Sequence, residues 1–324
     1  MNNIDWYPLR FQPILKEKIW GGNALKTYLN KTHDDMPFGE SWEIVDLPEN
    51  QSIITNGSLK GKELGEVVTA FAKAILGTSV VERFGTSFPL LIKYIDAADD
   101  LSVQLHPDDV LAAQLHKGKG KTEMWYILKA DSGAQLIIGF KDKMTLEQFD
   151  TCVANTTVND HLQYIDVQEG DSFFISAGLI HAIGKGIVLA EIQQTSDITY
   201  RVFDYNRKQQ DGSLRDLHID HARSALNFTN PDDYILSYDK EKVGAQVLKH
   251  GAYFKTDIVQ LATSSHKVDR TDSFTVLMMV SGNMTYTFDN ITEVLEIGET
   301  LLIPADCTEC VIQGIDAKFL EVYL

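Results

Sequence analysis

Gly170-Asp171-Ser172-Phe173-Phe174-Ile175-Ser176-Ala177-Gly178-Leu179-Ile180-His181 is the stretch whose reading decides the fold. A glycine turn leads into a short apolar run, a turn of small residues follows, and a second run ends at a histidine. That is strand, turn, strand. The pattern returns as Gly298-Glu299-Thr300-Leu301-Leu302-Ile303-Pro304-Ala305-Asp306-Cys307-Thr308-Glu309. Upstream, Glu123-Met124-Trp125-Tyr126 falls near Thr275-Val276-Leu277-Met278 when the two units are superposed. The chain therefore reads as two related β units in tandem. The second keeps the strands and loses the polar residues, with Glu309 where the first has His181.

Working outward, short apolar runs punctuated by Gly, Asp and Ser fill the chain from Phe88 onward. They are Pro89-Leu90-Leu91-Ile92, Met124-Trp125-Tyr126-Ile127-Leu128, Gln135-Leu136-Ile137-Ile138, Phe274-Thr275-Val276-Leu277-Met278-Met279-Val280 and Met284-Thr285-Tyr286-Thr287-Phe288. Such runs read as strands of sandwiches or small barrels. The expected fold is mainly β, two jelly-roll sheets with a small helical insertion. Leu64, Val67, Val68, Phe71, Ile75 and Leu76 at helical spacing predict a helix over about 61–84; further helical segments are expected at about 143–160 and 218–228. The expected division is 1–240 for a unit bearing a site and 241–324 for a degenerate unit without metal.

The 324 residues are 44% hydrophobic and 23% charged, enough for a large core and about two domains. No apolar stretch reaches the ~18 residues of a membrane span, and Met1-Asn2-Asn3-Ile4-Asp5-Trp6 lacks the basic and apolar pattern of a leader. No membrane partner and a cytoplasmic location are expected. A net charge of −17 argues against nucleic acid, and an anionic metabolite would need cations converging locally. Cys307 and Cys310 form a Cys-x-x-Cys pair, but three cysteines offer no second pair to complete a zinc site. The pair is expected to be structural. His218 and His221, just beyond the polar turn Lys208-Gln209-Gln210-Asp211-Gly212, are expected to face solvent at the start of a helix.

Chemistry concentrates in Ser102-Val103-Gln104-Leu105-His106-Pro107-Asp108. On a strand, residues two apart share a face, so Gln104 and His106 point the same way. Glu123 heads the next strand and His181 closes the segment quoted first. Two imidazoles, a carboxylate and an amide oxygen suit zinc or another first-row divalent ion, and the neutral Gln ligand leaves the ion net Lewis acidity.

A second polar cluster is Glu191-Ile192-Gln193-Gln194-Thr195-Ser196-Asp197-Ile198-Thr199-Tyr200-Arg201. If it is extended, Glu191, Gln193, Thr195, Asp197, Thr199 and Arg201 share one face and line a wet cavity or meet solvent. Lys93, between apolar residues in Leu91-Ile92-Lys93-Tyr94, is hard to bury without an anion. With Lys121 and Arg201 it would supply the converging cations that the acidic net charge demands.

The ligand spacing resembles the cupin pattern, with Gln104 where a first His is usual and Ser176 where a Pro is usual. The Gln-x-His variant, with Ile19-Trp20-Gly21-Gly22, Phe38-Gly39-Glu40-Ser41-Trp42-Glu43-Ile44, Gly120-Lys121-Thr122-Glu123, His181-Ala182-Ile183-Gly184 and Ser196-Asp197-Ile198-Thr199-Tyr200-Arg201, is similar to the type I phosphomannose isomerases of the shorter bacterial kind. The resemblance implies one zinc per chain on Gln104, His106, Glu123 and His181, with Arg201 as the catalytic arginine. It also implies isomerisation of mannose 6-phosphate and fructose 6-phosphate through a cis-enediol. Arg201 cannot be the base, because a guanidinium stays protonated. The base is then Glu191, Asp197 or a hydroxide on the metal. Lys121, Lys93 and Ser102 are expected to meet the sugar phosphate. The rivals are a metal-dependent cupin dioxygenase, which normally has His at the position of Gln104, and a non-catalytic sugar-binding cupin, which would have lost the ligands.

Overall fold

The computed structural model describes residues 4–324 apart from 32–35, 210, 232 and 308. Gln210 of the polar turn and Thr308 of the repeat lie outside the described residues. Leu90–Ala97 and Ile187–Gln194 are buried at every position, as strands covered on both faces must be. They sit centrally in a six-stranded antiparallel sheet ordered Ser172–Ile175, Glu123–Ala130, Ile187–Gln194, Leu90–Ala97, Phe38–Ile44, Ile14–Gly22. One face, with Ile95, Trp125, Ile127 and Leu189, packs on Leu136, Ile138 and Ile183 of a five-stranded sheet. That sheet runs Leu162–Asp166, Gln135–Phe140, His181–Ile183, Val103–Leu105, Tyr200–Phe203.

The opposite face, with Ile92, Tyr94, Met124, Tyr126 and Ile192, packs on Val276, Met278, Leu320 and Val322. These belong to a second five-stranded sheet, Gly244–His250, Lys255–Leu261, Ala317–Tyr323, Thr275–Ser281, Thr300–Ile303. A four-stranded sheet, Ser265–Val268, Cys310–Gly314, Asn283–Phe288, Ile291–Glu296, closes the second sandwich, its Ile312 packing on Leu277, Met279 and Phe319. The molecule is thus four sheets deep, with the two middle sheets back to back. Each fully buried aliphatic side chain at that junction is worth roughly 1.5–3 kcal/mol, so the sandwiches hold together as one body.

The tandem repeat reappears in the strand register. Ser172 pairs with Tyr126 and Ile175 with Glu123, while Thr300 pairs with Met278 and Ile303 with Thr275. Glu123 and Thr275 are therefore equivalent positions.

The helical expectations change in detail. The 61–84 segment is two helices, Leu64–Leu76 and Thr78–Phe84, broken at Gly77 with φ +87°. A Cβ there would lie 2.2 Å from the Asp272 carbonyl oxygen, so glycine lets the second sandwich approach. The later segments shorten to helices Leu146–Ala154 and Ile219–Ala225 and a 3₁₀ turn Val158–His161. An unforeseen helix, Asp109–His116, starts where the Asp108 carboxylate accepts from Leu111 N at 2.8 Å. The Pro-Asp-Asp at 107–109 was its signal.

Candidate metal centre and cleft

Gln104 pairs with His181 on one side and Arg201 on the other, so three adjacent strands bring these residues side by side. Across the sandwich the six-stranded sheet supplies a matching row: Trp125, Glu191, Lys93 and Trp42 are successive register partners. Between the two rows lies a cleft of about 130 Å³ lined by Gln104, His181, Ser102, Lys121, Arg201 and the floor residues Glu191 and Lys93.

His106, Glu123 and His181, all about 1% exposed, bring one donor atom each within 4.8 Å of one another. His106 Nδ1 is 2.8 Å from the Ile198 carbonyl and His181 Nδ1 is 2.8 Å from the Leu179 carbonyl. Each carbonyl fixes the tautomer, turning the Nε2 lone pair inward. Burial, reinforced by Lys121 for His106, pushes that imidazole down to about 4, and burial also lowers His181, so both rings are neutral near pH 7, the form a metal would take. Burial opposes ionisation of Glu123, but Lys121 and the histidines outweigh it and hold the carboxylate well below its usual range. His181 Nε2 and both Glu123 oxygens lack aligned hydrogen bonds. Glu123 Oε1 is nonetheless 2.5 Å from Lys121 Nζ and 3.2 Å from His106 Nε2. Buried donors converging without aligned partners are what a divalent cation would satisfy. Gln104, half-buried, accepts from the Ser102 hydroxyl at 3.3 Å and adds an amide oxygen beside His181.

The floor is a charge ladder. Lys93 Nζ lies 3.0 Å from Glu191 Oε1 and 3.7 Å from Glu40 Oε2. Trp125 Nε1 donates to Glu191 at 2.9 Å, and Trp42 Nε1 donates to Glu40 at 2.6 Å. Burial disfavours the Lys93 charge, yet Glu191, Glu40 and Glu123 outweigh it and raise this lysine above its usual range. Lys93 therefore finds its anions within the protein. Glu40, like Lys18 and Arg215, lines the cleft and was not singled out from sequence. Its motif, Phe38-Gly39-Glu40-Ser41-Trp42, is the sequence signal that marks it.

The six-residue polar face expected from Glu191 to Arg201 is not one strand. The strand ends at Gln194, the chain crosses between sheets, and Tyr200–Phe203 resumes in the other. Gln193 Nε2 donates to the carbonyls of Gln194 and Ser196, and Thr195 donates to the Phe88 carbonyl, so these two residues pin the crossover. Glu191, Asp197, Thr199 and Arg201 line the cleft, with Asp197 exposed at its rim. His218 Nδ1 accepts from the Arg201 backbone at 3.2 Å, and the exposed His221 stacks on Tyr200. Cys307 and Cys310 are free and buried in the second sandwich, where burial pushes both thiols up to about 12. No described helix is long and apolar enough to cross a membrane.

A double β-sandwich whose first half gathers a buried His-Glu-His group able to hold a metal ion is the architecture of a two-cupin protein. The family model for the phosphomannose isomerase type I catalytic domain matches residues 9–134. A mannose-6-phosphate isomerase of Streptococcus mutans is 35% identical, over 92% of each chain. One from Bacillus subtilis is 33% identical, over 95% of this chain and 96% of that one. The crystal structure of the mannose 6-phosphate isomerase from Bacillus subtilis superposes with a TM-score of 0.89 at 30% identity, over 98% of this chain and 99% of that one. The chain belongs to the type I mannose-6-phosphate isomerase family.

Proposed function

We propose that this chain is a cytoplasmic, zinc-dependent enzyme interconverting mannose 6-phosphate and fructose 6-phosphate through a cis-enediol. Residues 1–240 would carry the reaction and 241–324 would form a metal-free cupin unit. The carrying observation is the group of inward-facing Nε2 and carboxylate donors on His106, Glu123 and His181, with Arg201 beside Gln104 one strand away. Zinc held by Gln104, His106, Glu123 and His181 would supply Lewis acidity toward the O1/O2 end of the sugar.

The rest of the work falls to this chain's side chains. Arg201 is aimed by Asp216 O at 2.8 Å and Ser102 Oγ at 3.3 Å, and offers its remaining N–H groups to the developing enediolate. Glu191, fixed by Trp125 and Lys93 at the centre of the floor, is a better-placed base than the exposed, loop-borne Asp197. Lys121, buried beside Glu123, is within reach of substrate hydroxyls on the same side as Ser102.

A coupled assay on mannose 6-phosphate, with glucose 6-phosphate as control, tests the activity. Arg201→Lys is expected to lower kcat on the order of 10²–10³-fold with metal content unchanged, because an ammonium cannot reproduce the planar fork. A variant that keeps kcat and raises only KM would make Arg201 a binding cation instead.

A further inference from the structure

The lysines that sequence favours for the substrate's phosphate are already engaged. Lys93 lies between Glu191 and Glu40, and Lys121 contacts Glu123. The far wall of the cleft is different. Asp204, 6% exposed, accepts from Arg215 Nε at 2.7 Å on Oδ2 and, on Oδ1, from Arg207 Nη2 at 2.8 Å and from Arg215 Nη2. Asp204 is the one buried carboxylate serving both guanidiniums among the described contacts, Arg207 also meeting the exposed Asp99 at 3.4 Å. Arg201, next to them, has hydrogen bonds only to neutral oxygens, those of Ser102 and Asp216, among the described contacts. The carboxylates of Asp99, Asp197 and Asp216 nearby are exposed, where water screens them. Burial together with repulsion from Arg215 and Arg207 lowers Arg201 from its usual range, as expected where cations crowd.

Arg215 reaches this wall because the backbone N–H of His218 bonds to the Arg201 carbonyl at 2.7 Å, laying residues 215–218 beyond the edge strand. From the Gln104 strand to that segment is two strand spacings, ~10 Å. That is the span of an extended six-carbon sugar with a terminal phosphate. Asp204 engages Nε and Nη2 of Arg215, Nη1 has no partner among the described hydrogen bonds, and Arg215 lines the cleft with Ser102, Thr199 and Arg201.

We infer that Arg215 contacts the phosphate of the sugar phosphate, and that Asp204 and Arg207 are the positioning residues that hold it there. This deepens the isomerase reading and rests on it. A fixed arginine fork suits a phosphate dianion better than a mobile ammonium does, and it confines a full charge pair to the end of the cleft away from the reacting carbons.

The test combines steady-state kinetics on mannose 6-phosphate with calorimetric binding of inorganic phosphate to the metal-loaded protein. Arg215→Gln is expected to raise KM and the phosphate Kd together, by about 10–100-fold, with kcat within about threefold and metal content unchanged. Asp204→Asn should shift both in the same direction by less. Free guanidinium ion should lower the KM of Arg215→Ala, which a purely structural arginine would not allow. Unchanged KM and phosphate Kd in Arg215→Gln would overturn the assignment, as would a fall in kcat alone or a lowered Tm without guanidinium rescue. If the wild-type protein fails to turn over mannose 6-phosphate, the isomerase reading fails, while the phosphate Kd still reports on Arg215.

Discussion

At the open end of the first sandwich, Glu191 faces a cleft with Lys93 as its neighbour on the next strand. The register puts Glu321 and Asp257 at the corresponding places in the second sandwich, since Glu191 pairs with Trp125 and Glu321 with Leu277. There the two acids need cations brought from elsewhere. Arg270 Nη2 lies 3.1 Å and His266 Nε2 2.9 Å from Glu321, while His250 and Tyr323 reach Asp257 at 2.9 and 3.1 Å. The position of Glu123 has become Thr275, and Glu309, which the sequence repeat sets against His181, lies exposed outside the strand that Cys310 opens. The same scaffold thus leaves its donors converging on one point in one half and closes them upon each other in the other half. In the first half His181 Nε2 and both Glu123 oxygens are left without aligned hydrogen bonds, while in the second each acid has its own partners.

Metal removal would break that comparison most directly. Exhaustive chelation is expected to cost about 10³-fold or more in activity, restored by zinc, cobalt or manganese, with one ion per chain by elemental analysis. His106→Ala should lose metal and activity together. A second ion held by Cys307 and Cys310 would show that the second half is not closed after all.

Paired substitutions sharpen the contrast. Glu191→Gln is expected to lower kcat by on the order of 10²–10⁴, as for loss of a general base. Glu321→Gln should leave kcat within about twofold yet destabilise the fold by about 3 kcal/mol, because Arg270 loses its buried partner. Urea unfolding beside kinetics decides it, and exchanged phenotypes would mean the two ends have been misassigned.

The smallest effect concerns acid stability. Lys93 and Lys18, with the Trp42 hydrogen bond, outweigh burial and hold Glu40 at about 2, below the ordinary value of 4.5. A depressed carboxylate adds stability that is fully present above about 4.5 and is lost as pH falls toward 2. Glu40→Gln should therefore flatten the dependence of the urea midpoint on pH in that window. An unchanged slope would show that the ladder contributes nothing to folding.

Much of this was legible in the sequence, because strand parity is a local property. The quoted repeat, the apolar runs and the His-Glu-His donors all follow from period-two patterning and glycine turns. What escaped detection was non-local. Nothing local reveals that the chain leaves one sheet at Gln194 and enters another at Tyr200, so Gln193 and Thr195 were read onto a face they do not share. Lys93 looked like an anion seeker because its partners, Glu40 and Glu191, lie on other strands. Arg215 carries no motif and gains its place through the edge pairing of residue 218 and the Asp204 carboxylate, both non-local.

The middle sheet of the first sandwich has no outside. Along Leu90–Ala97 the odd positions Lys93 and Ile95 look into the cleft sandwich, and the even positions Ile92 and Tyr94 press on the second half. A chain cut after residue 240 would therefore bare a broad oily wall where Ile92, Tyr94, Met124, Tyr126 and Ile192 now meet their partners. The second sandwich is the far side of the cleft's own floor, and a chain shortened to the first sandwich is expected to aggregate rather than to stand as a smaller protein.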